Sequence, residues 1–151
     1  MFLFSEICEE VIDFFKPNFS KKNITVENSF NDKLVLYADK KMIKTILRNL
    51  ISNAIKFTNE GGMINIRAEQ DSKEVIISVS DNGIGISPEN ISKLLDNSHT
   101  YTTTGTALEQ GSGLGLILCK EFIEKHGGKL LIDSEPIKGS TFKITLPVFS
   151  K

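Results

Sequence analysis

The hydrophobic positions change period several times along the chain. After Ser5, the residues Ile7, Val11, Phe14 and Phe15 recur at helical spacing, and Pro17 with the polar Lys21-Lys22-Asn23 marks the expected end of that helix. Residues 24–30 and 34–38 read as two strands, with a turn at Asn31-Asp32 between them. Asp39 is placed to cap a helix, because its carboxylate can accept from the free amides of a first turn. Behind it Met42, Ile43, Ile46, Leu47, Leu50, Ile51, Ala54 and Ile55 predict an amphipathic helix of about five turns, ending before Gly61-Gly62. Residues 63–69 and 74–81 then alternate with period two and predict an antiparallel hairpin turning at Asp71-Ser72.

The second half is more broken. Ser87 and Pro88 suit the start of a short helix over 87–95. Residues 96–110 are polar and threonine-rich and read as a mobile loop. Leu114, Leu116, Ile117, Cys119, Phe122 and Ile123 mark a last helix, ending at Gly127-Gly128. Residues 129–135 and 140–148 close the chain as two strands. About three helices and six strands, with strands in consecutive pairs, predict an α+β two-layer sandwich: a mixed sheet against three main helices.

Composition narrows the function. The 151 residues suit one domain, and 18 basic against 19 acidic residues give a net charge of −1. That balance argues against a nucleic-acid surface. Cys8 and Cys119 lie far apart without metal-ligand spacing, as expected of reduced thiols. No apolar run has the length of a membrane span, and Met1–Leu3 lacks the basic flank of a signal peptide. A domain cut from a larger protein, with no direct membrane contact of its own, is the expectation.

Three motifs carry chemistry. In GSGLGL the glycines Gly111, Gly113 and Gly115 precede a helix; the spacing fails both the dinucleotide fingerprint and the P-loop. Alone it is equally a phosphate cradle or a tight helix entry. In DNGIGI, Asp81 ends a strand; its carboxylate can accept from an exocyclic amine while Gly83 and Gly85 admit a flat base, or the segment is simply a capped turn. Asn49, Asn53 and Lys56 share one helix face at spacings of four and three. The Asn53 amide oxygen suits Mg²⁺ and Lys56 suits a phosphate, though a solvated helix face is the plainer reading.

Taken in order, RNLISNAIKFTNEGG (48–62), DNGIGI (81–86), GSGLGL (111–116) and GST (139–141) resemble the asparagine box and glycine boxes of the sensor histidine kinase catalytic, ATP-binding domain. That domain belongs to the wider family of gyrase-type and chaperone ATPases. The resemblance runs from about Ser5 to Pro147. It implies a domain that transfers the γ-phosphoryl group of ATP to a histidine on a separate dimerisation domain, with a response regulator downstream and a cytoplasmic location. It implies that Asp81 reads the adenine amino group, that Gly83, Gly85 and Ile86 line the base, and that Phe57 lies near base or ribose. Asn53 would hold Mg²⁺, and Asn49 and Lys56 would serve the phosphates. Gly111, Gly113, Leu114, Gly115 and Leu116 would form the hinge of a lid spanning roughly 87–112, and Ser140 or Thr141 would reach the adenine edge. Neither His99 nor His126 sits in the context of a phosphoacceptor, so the chain alone is expected to bind ATP without phosphorylating itself.

Two departures matter. The lid lacks the phenylalanine box usual in the family, and Lys93 is the only basic residue between Gly85 and Gly111. These keep a second reading alive, a nucleotide-binding regulatory module. An ATPase of the same fold is disfavoured, because Asn49 stands where hydrolysing relatives carry a glutamate and an amide cannot take a proton from water. A serine-kinase relative is disfavoured by the histidine-kinase-like tail.

Overall fold

The computed structural model describes residues 1–95 and 115–148. In chain order the elements are β1 (Phe2–Leu3), α1 (Phe4–Lys22), β2 (Thr25–Ser29), β3 (Val35–Leu36), α2 (Lys40–Phe57), β4 (Met63–Gln70), β5 (Glu74–Asp81), α3 (Pro88–Leu95), α4 (Gly115–Lys125), β6 (Lys129–Glu135) and β7 (Gly139–Pro147). Five strands make one sheet in the order β2-β4-β5-β7-β6. β2 runs parallel to β4 and the other neighbours are antiparallel, so the sheet is mixed. This is the expected α+β sandwich.

Alternation sets its polarity. Ile64, Ile66 and Ala68 of β4, Val75, Ile77 and Val79 of β5, and Phe142, Ile144 and Leu146 of β7 are buried on one face. Against them pack Ile43, Ile46, Leu47, Leu50 and Ile51 of α2 and Cys119 and Ile123 of α4, all fully buried. Helix α1 closes this layer through Phe4, Ile7, Cys8 and Val11, and a Lys44–Glu10 ion pair of 2.7 Å lies between α1 and α2. At about 25 cal/mol per Å² of apolar surface, such a core is the dominant stabilising term. Burial pushes both thiols, Cys8 and Cys119, up to about 12, so they behave as apolar packing groups.

The predicted caps and turns form. The Met42 amide donates to Asp39 Oδ1 at 3.0 Å, and Asp71 Oδ1 accepts from the amides of Lys73 and Glu74 at 2.7 and 2.8 Å. Two expectations are corrected. Of the two markers expected to end helix α1, Pro17 lies inside it and the polar 21–23 segment ends it: the helix runs to Lys22 with Asn23 as its cap. Proline withholds one amide from the Asp13 carbonyl, but both residues are exposed, where water can replace the bond, and Phe19 and Lys22 beyond it are buried. The strand expected over 34–38 shrinks to Val35–Leu36, which pairs with the unexpected β1 in a separate two-stranded sheet.

Candidate functional site

Helix α2 ends where the sheet offers its most polar inner edge. Two residues that sequence reasoning overlooked hold that helix end. Lys22, only 7% exposed, donates from Nζ to the Ile55 carbonyl at 2.7 Å and to that of Lys56 at 3.4 Å. Its charge opposes the negative end of the helix dipole. Thr58, fully buried, donates its hydroxyl to the Ala54 carbonyl. Nothing in the sequence separates Lys22 from the solvated Lys21 beside it, because only the fold supplies the carbonyls.

The same helix carries the predicted amide face. Asn49 and Asn53 are both half-buried. The Cys119 thiol donates to the Ile46 carbonyl at 3.8 Å, which ties α4 to α2, and the nearby Asn49 side chain favours its ionised form against burial. Lys56 is buried, with Nζ 5.2 Å from the centre of the Phe57 ring.

The DNGIGI segment then folds back onto the end of α2. The Ile84 amide donates to the Phe57 carbonyl at 3.0 Å. A side chain at Gly83 would come within 1.9 Å of that same carbonyl, and one at Gly85, where φ is +72°, within 1.9 Å of the Glu135 carbonyl. These two glycines therefore let backbone approach backbone, a need the motif alone does not reveal. Asp81 Oδ1 accepts from the Gly83 amide at 2.9 Å. Burial raises the Asp81 carboxyl above its ordinary value, although the amides of Gly83 and Ser140 favour its ionised form.

Asp81 and Ser140 are cross-strand partners on the face that carries the helices. Ser140 is 4% exposed, and its Oγ lies 2.7 Å from that of Ser134. Ser134 also accepts from the Ile86 amide at 2.7 Å and donates to the Gly139 carbonyl at 3.1 Å. That knot locks the buried Ile86 and the start of β7 together. Thr141 is different: its hydroxyl lies 3.0 Å from Ser80 Oγ on the opposite face. The structure thus joins Phe57, Asp81, Gly83, Gly85, Ile86 and Ser140 around the C-terminal end of α2, places Lys56, Asn53 and Asn49 along the last turns of that helix, and puts Thr141 on the other face of the sheet. Leu116 is buried in the first turn of α4, which Gly115 opens. Gly111, Gly113 and Leu114, with lid residues 96–110, lie outside the described residues.

His126 binds at both ring nitrogens. Nε2 accepts from the Asp39 amide at 3.0 Å, so Nδ1 carries the proton it shares with the Phe122 carbonyl at 2.8 Å. The ring joins the end of α4 to the start of α2, a structural duty. Among the described residues no cluster of three His, Cys, Asp or Glu side chains is placed to hold a metal, and no helix is long and apolar enough to cross a membrane. A magnesium site here would rest on the Asn53 amide oxygen. That half-buried donor fits an ion that takes hard oxygen ligands and keeps waters and phosphates.

Residues 38–150 match the family described as histidine kinase-, DNA gyrase B-, and HSP90-like ATPases. The chain belongs to this family, and within it to the histidine kinase catalytic domains. It is 35% identical over 147 residues to the adaptive-response sensory kinase SasA of Synechocystis, covering 96% of this chain and 38% of that protein. It is 39% identical over 115 residues to the sensor protein SrrB of Staphylococcus aureus, covering 76% of this chain and 20% of SrrB. The chain therefore spans well under half the length of these relatives. The catalytic domain of histidine kinase ThkA superposes with a TM-score of 0.84 at 34% identity, covering 98% of this chain and 94% of that one.

Proposed function

We propose that this domain binds ATP with Mg²⁺ and passes the γ-phosphoryl group to a histidine on a dimerisation domain outside the chain, for onward transfer to a response regulator. The observation that carries the reading is the desolvated Asp81 carboxylate. It sits on the helix side of the sheet, beside buried Ser140, at the end of β5, and the segment that follows it is bonded to the C-terminal end of α2 through the Ile84 amide and the Phe57 carbonyl. A carboxylate there accepts from the adenine amino group, and the amides and ammonium of α2 face the phosphates. Bound with the nucleotide at Asn53, Mg²⁺ supplies neutralisation of phosphate charge. The partner imidazole nitrogen forms the new bond to phosphorus as the bond to the ADP oxygen breaks. Such a transfer asks for positioning rather than for a catalytic base on this chain. Similar proteins support the partner and ligand classes: ThkA has been solved in complex with the response regulator TrrA, at 31% identity over 97% of this chain, and full-length ShkA in complex with AMPPNP, at 25% identity over 97% of it.

The reading is tested by calorimetric titration with Mg·ATP. The parent binds, and Asn53→Ala abolishes binding while leaving the fold intact by circular dichroism. Retained affinity in the variant removes Asn53 from the site. Mixing the domain with its native dimerisation domain and γ-labelled ATP should place acid-labile, base-stable label on the partner. Binding without any label would instead support the regulatory-module reading.

A further inference from the structure

The face of the sheet turned away from the helices carries its own chemistry. Two neighbouring rows cross it. Arg67, Ser78 and Lys143 are in register on β4, β5 and β7. One step along the strands lie Asn65, Ser80, Thr141 and Asp133 of β6. Together with the exposed Leu131, which stands opposite Lys143, and with Ile132 they line a depression of about 600 Å³. With strands about 4.8 Å apart, Arg67 and Lys143 flank Ser78 across roughly 10 Å, so both long side chains can converge on one tetrahedral oxyanion. Among the described residues neither cation makes an ion pair.

The second row has the opposite demand. Asn65 Oδ1 is buried and has no hydrogen-bond partner among the described residues. Such atoms are uncommon and call for a donor. The Asp133 carboxylate at the far end of the row also wants a donor, whereas Ser80 and Thr141 share one hydrogen bond with each other. Glu27, opposite Asn65, adds a third acceptor at the rim. The depression is thus cationic in one row and acceptor-rich in the next. That excludes a polyanion laid across both rows. It selects a molecule with one oxyanion and hydroxyl donors a few ångströms away.

We propose that this depression binds a small phosphate monoester of a polyol. The phosphate sits between Arg67 and Lys143 with Ser78 donating to it, and the hydroxyls donate to Asn65 Oδ1 and Asp133. The site is separate from the proposed nucleotide site, which lies on the other face of the same strands.

The test is an NMR titration of the ¹⁵N-labelled chain, saturated with ADP, using glycerol 3-phosphate and inorganic phosphate as separate probes. Shifts are expected at the amides of Ser78, Ser80 and Thr141, and glycerol 3-phosphate should bind more tightly than inorganic phosphate. Arg67→Gln and Lys143→Gln should each weaken binding about tenfold, the loss of one charge-assisted hydrogen bond. Asn65→Leu should erase the preference for the ester. Nucleotide affinity, unchanged in all three variants, shows that they are folded. Shifts confined to Asp81–Ile86, or an affinity that survives Arg67→Gln with Lys143→Gln, would overturn the site. Equal affinity for the two probes would overturn the polyol half of the proposal. Tighter binding of an oligoglutamate peptide at the same amides would make the face a protein-docking surface instead.

Discussion

Ser80 and Asp81 are adjacent in β5, and their partners Thr141 and Ser140 are adjacent in β7, yet the two pairs live in opposite surroundings. Ser80 and Thr141 meet on the open face and share one hydroxyl–hydroxyl hydrogen bond of 3.0 Å. Asp81 and Ser140 meet under the helix layer. There the carboxyl is desolvated, and the serine hydroxyl joins a buried network that fixes Ile86 and Gly139. Strand parity alone sorts one pair from the other. A single step along the chain separates a hydroxyl pair on the open face from a group held ready for a ligand.

The largest effect that tests this contrast is Asp81→Asn. The amide keeps the shape and can still accept from the Gly83 amide, but it loses the charge that draws an exocyclic amine. ATP affinity should fall roughly tenfold to a hundredfold by calorimetry, the value of a charge-assisted hydrogen bond. Stability should move the other way. A carboxyl whose folded pKa is raised binds its proton more tightly in the folded state. Its ionisation therefore destabilises the fold as pH rises above the ordinary value of 3.8, and the penalty is complete above the raised value. The nucleotide-free variant should melt higher than the parent at neutral pH, and the difference should vanish below the ordinary carboxylate range. Equal melting temperatures across that range would mean that Asp81 is not desolvated.

The next effect sets the two hydroxyls against each other. Ser140→Ala removes a buried group that bonds Ser134 Oγ at 2.7 Å and should cost about 1 kcal/mol in urea unfolding, with weaker ATP binding. Thr141→Val keeps the β-branched shape on the open face and should cost at most about 0.5 kcal/mol, leaving ATP binding untouched. A nucleotide defect in Thr141→Val with none in Ser140→Ala would reverse the assignment of faces.

The elements carrying this contrast were legible in the sequence because their periods are clean. The 18-residue α2 and the β4–β5 hairpin follow from uninterrupted three-four and two-residue repeats. What escaped has a tertiary cause in each case. Of the two end markers of α1, the polar 21–23 segment holds and Pro17 does not, because the buried Phe19 and Lys22 carry the helix past the proline. β1 is two residues long, too short for any period to show, and exists because it pairs with β3, the two-residue remnant of the strand expected over 34–38. In the site, residue types pointed to Asn53 and Asp81. The choice between Ser140 and Thr141 needed the register of β7, and Lys22 needed the carbonyls of a helix 33 residues away.

That register leads to an effect smaller than that of Ser140→Ala, in the turn between β6 and β7. A slip of one residue there would exchange Ser140 for Thr141 on the inner face. The turn is held by Ile137, whose amide donates to the Ile84 carbonyl at 2.6 Å. Ile137 has φ of +74° and is 90% exposed. A β-branched residue in the left-handed region is strained, by about 1–2 kcal/mol even for an ordinary side chain, and this one buries almost nothing in return. Ile137→Gly relieves that strain and keeps the amide, while glycine's freedom in the unfolded chain takes back roughly 0.5–1 kcal/mol. The net expectation is a gain of about 0.5–1 kcal/mol in urea unfolding, with ATP affinity unchanged because Ser140 stays inward. Ile137→Pro keeps neither the φ nor the amide and should destabilise the turn. If Ile137→Gly lost stability instead, the isoleucine side chain would be holding the register through contacts of its own, and the difference between the two faces would depend on that turn as much as on strand parity.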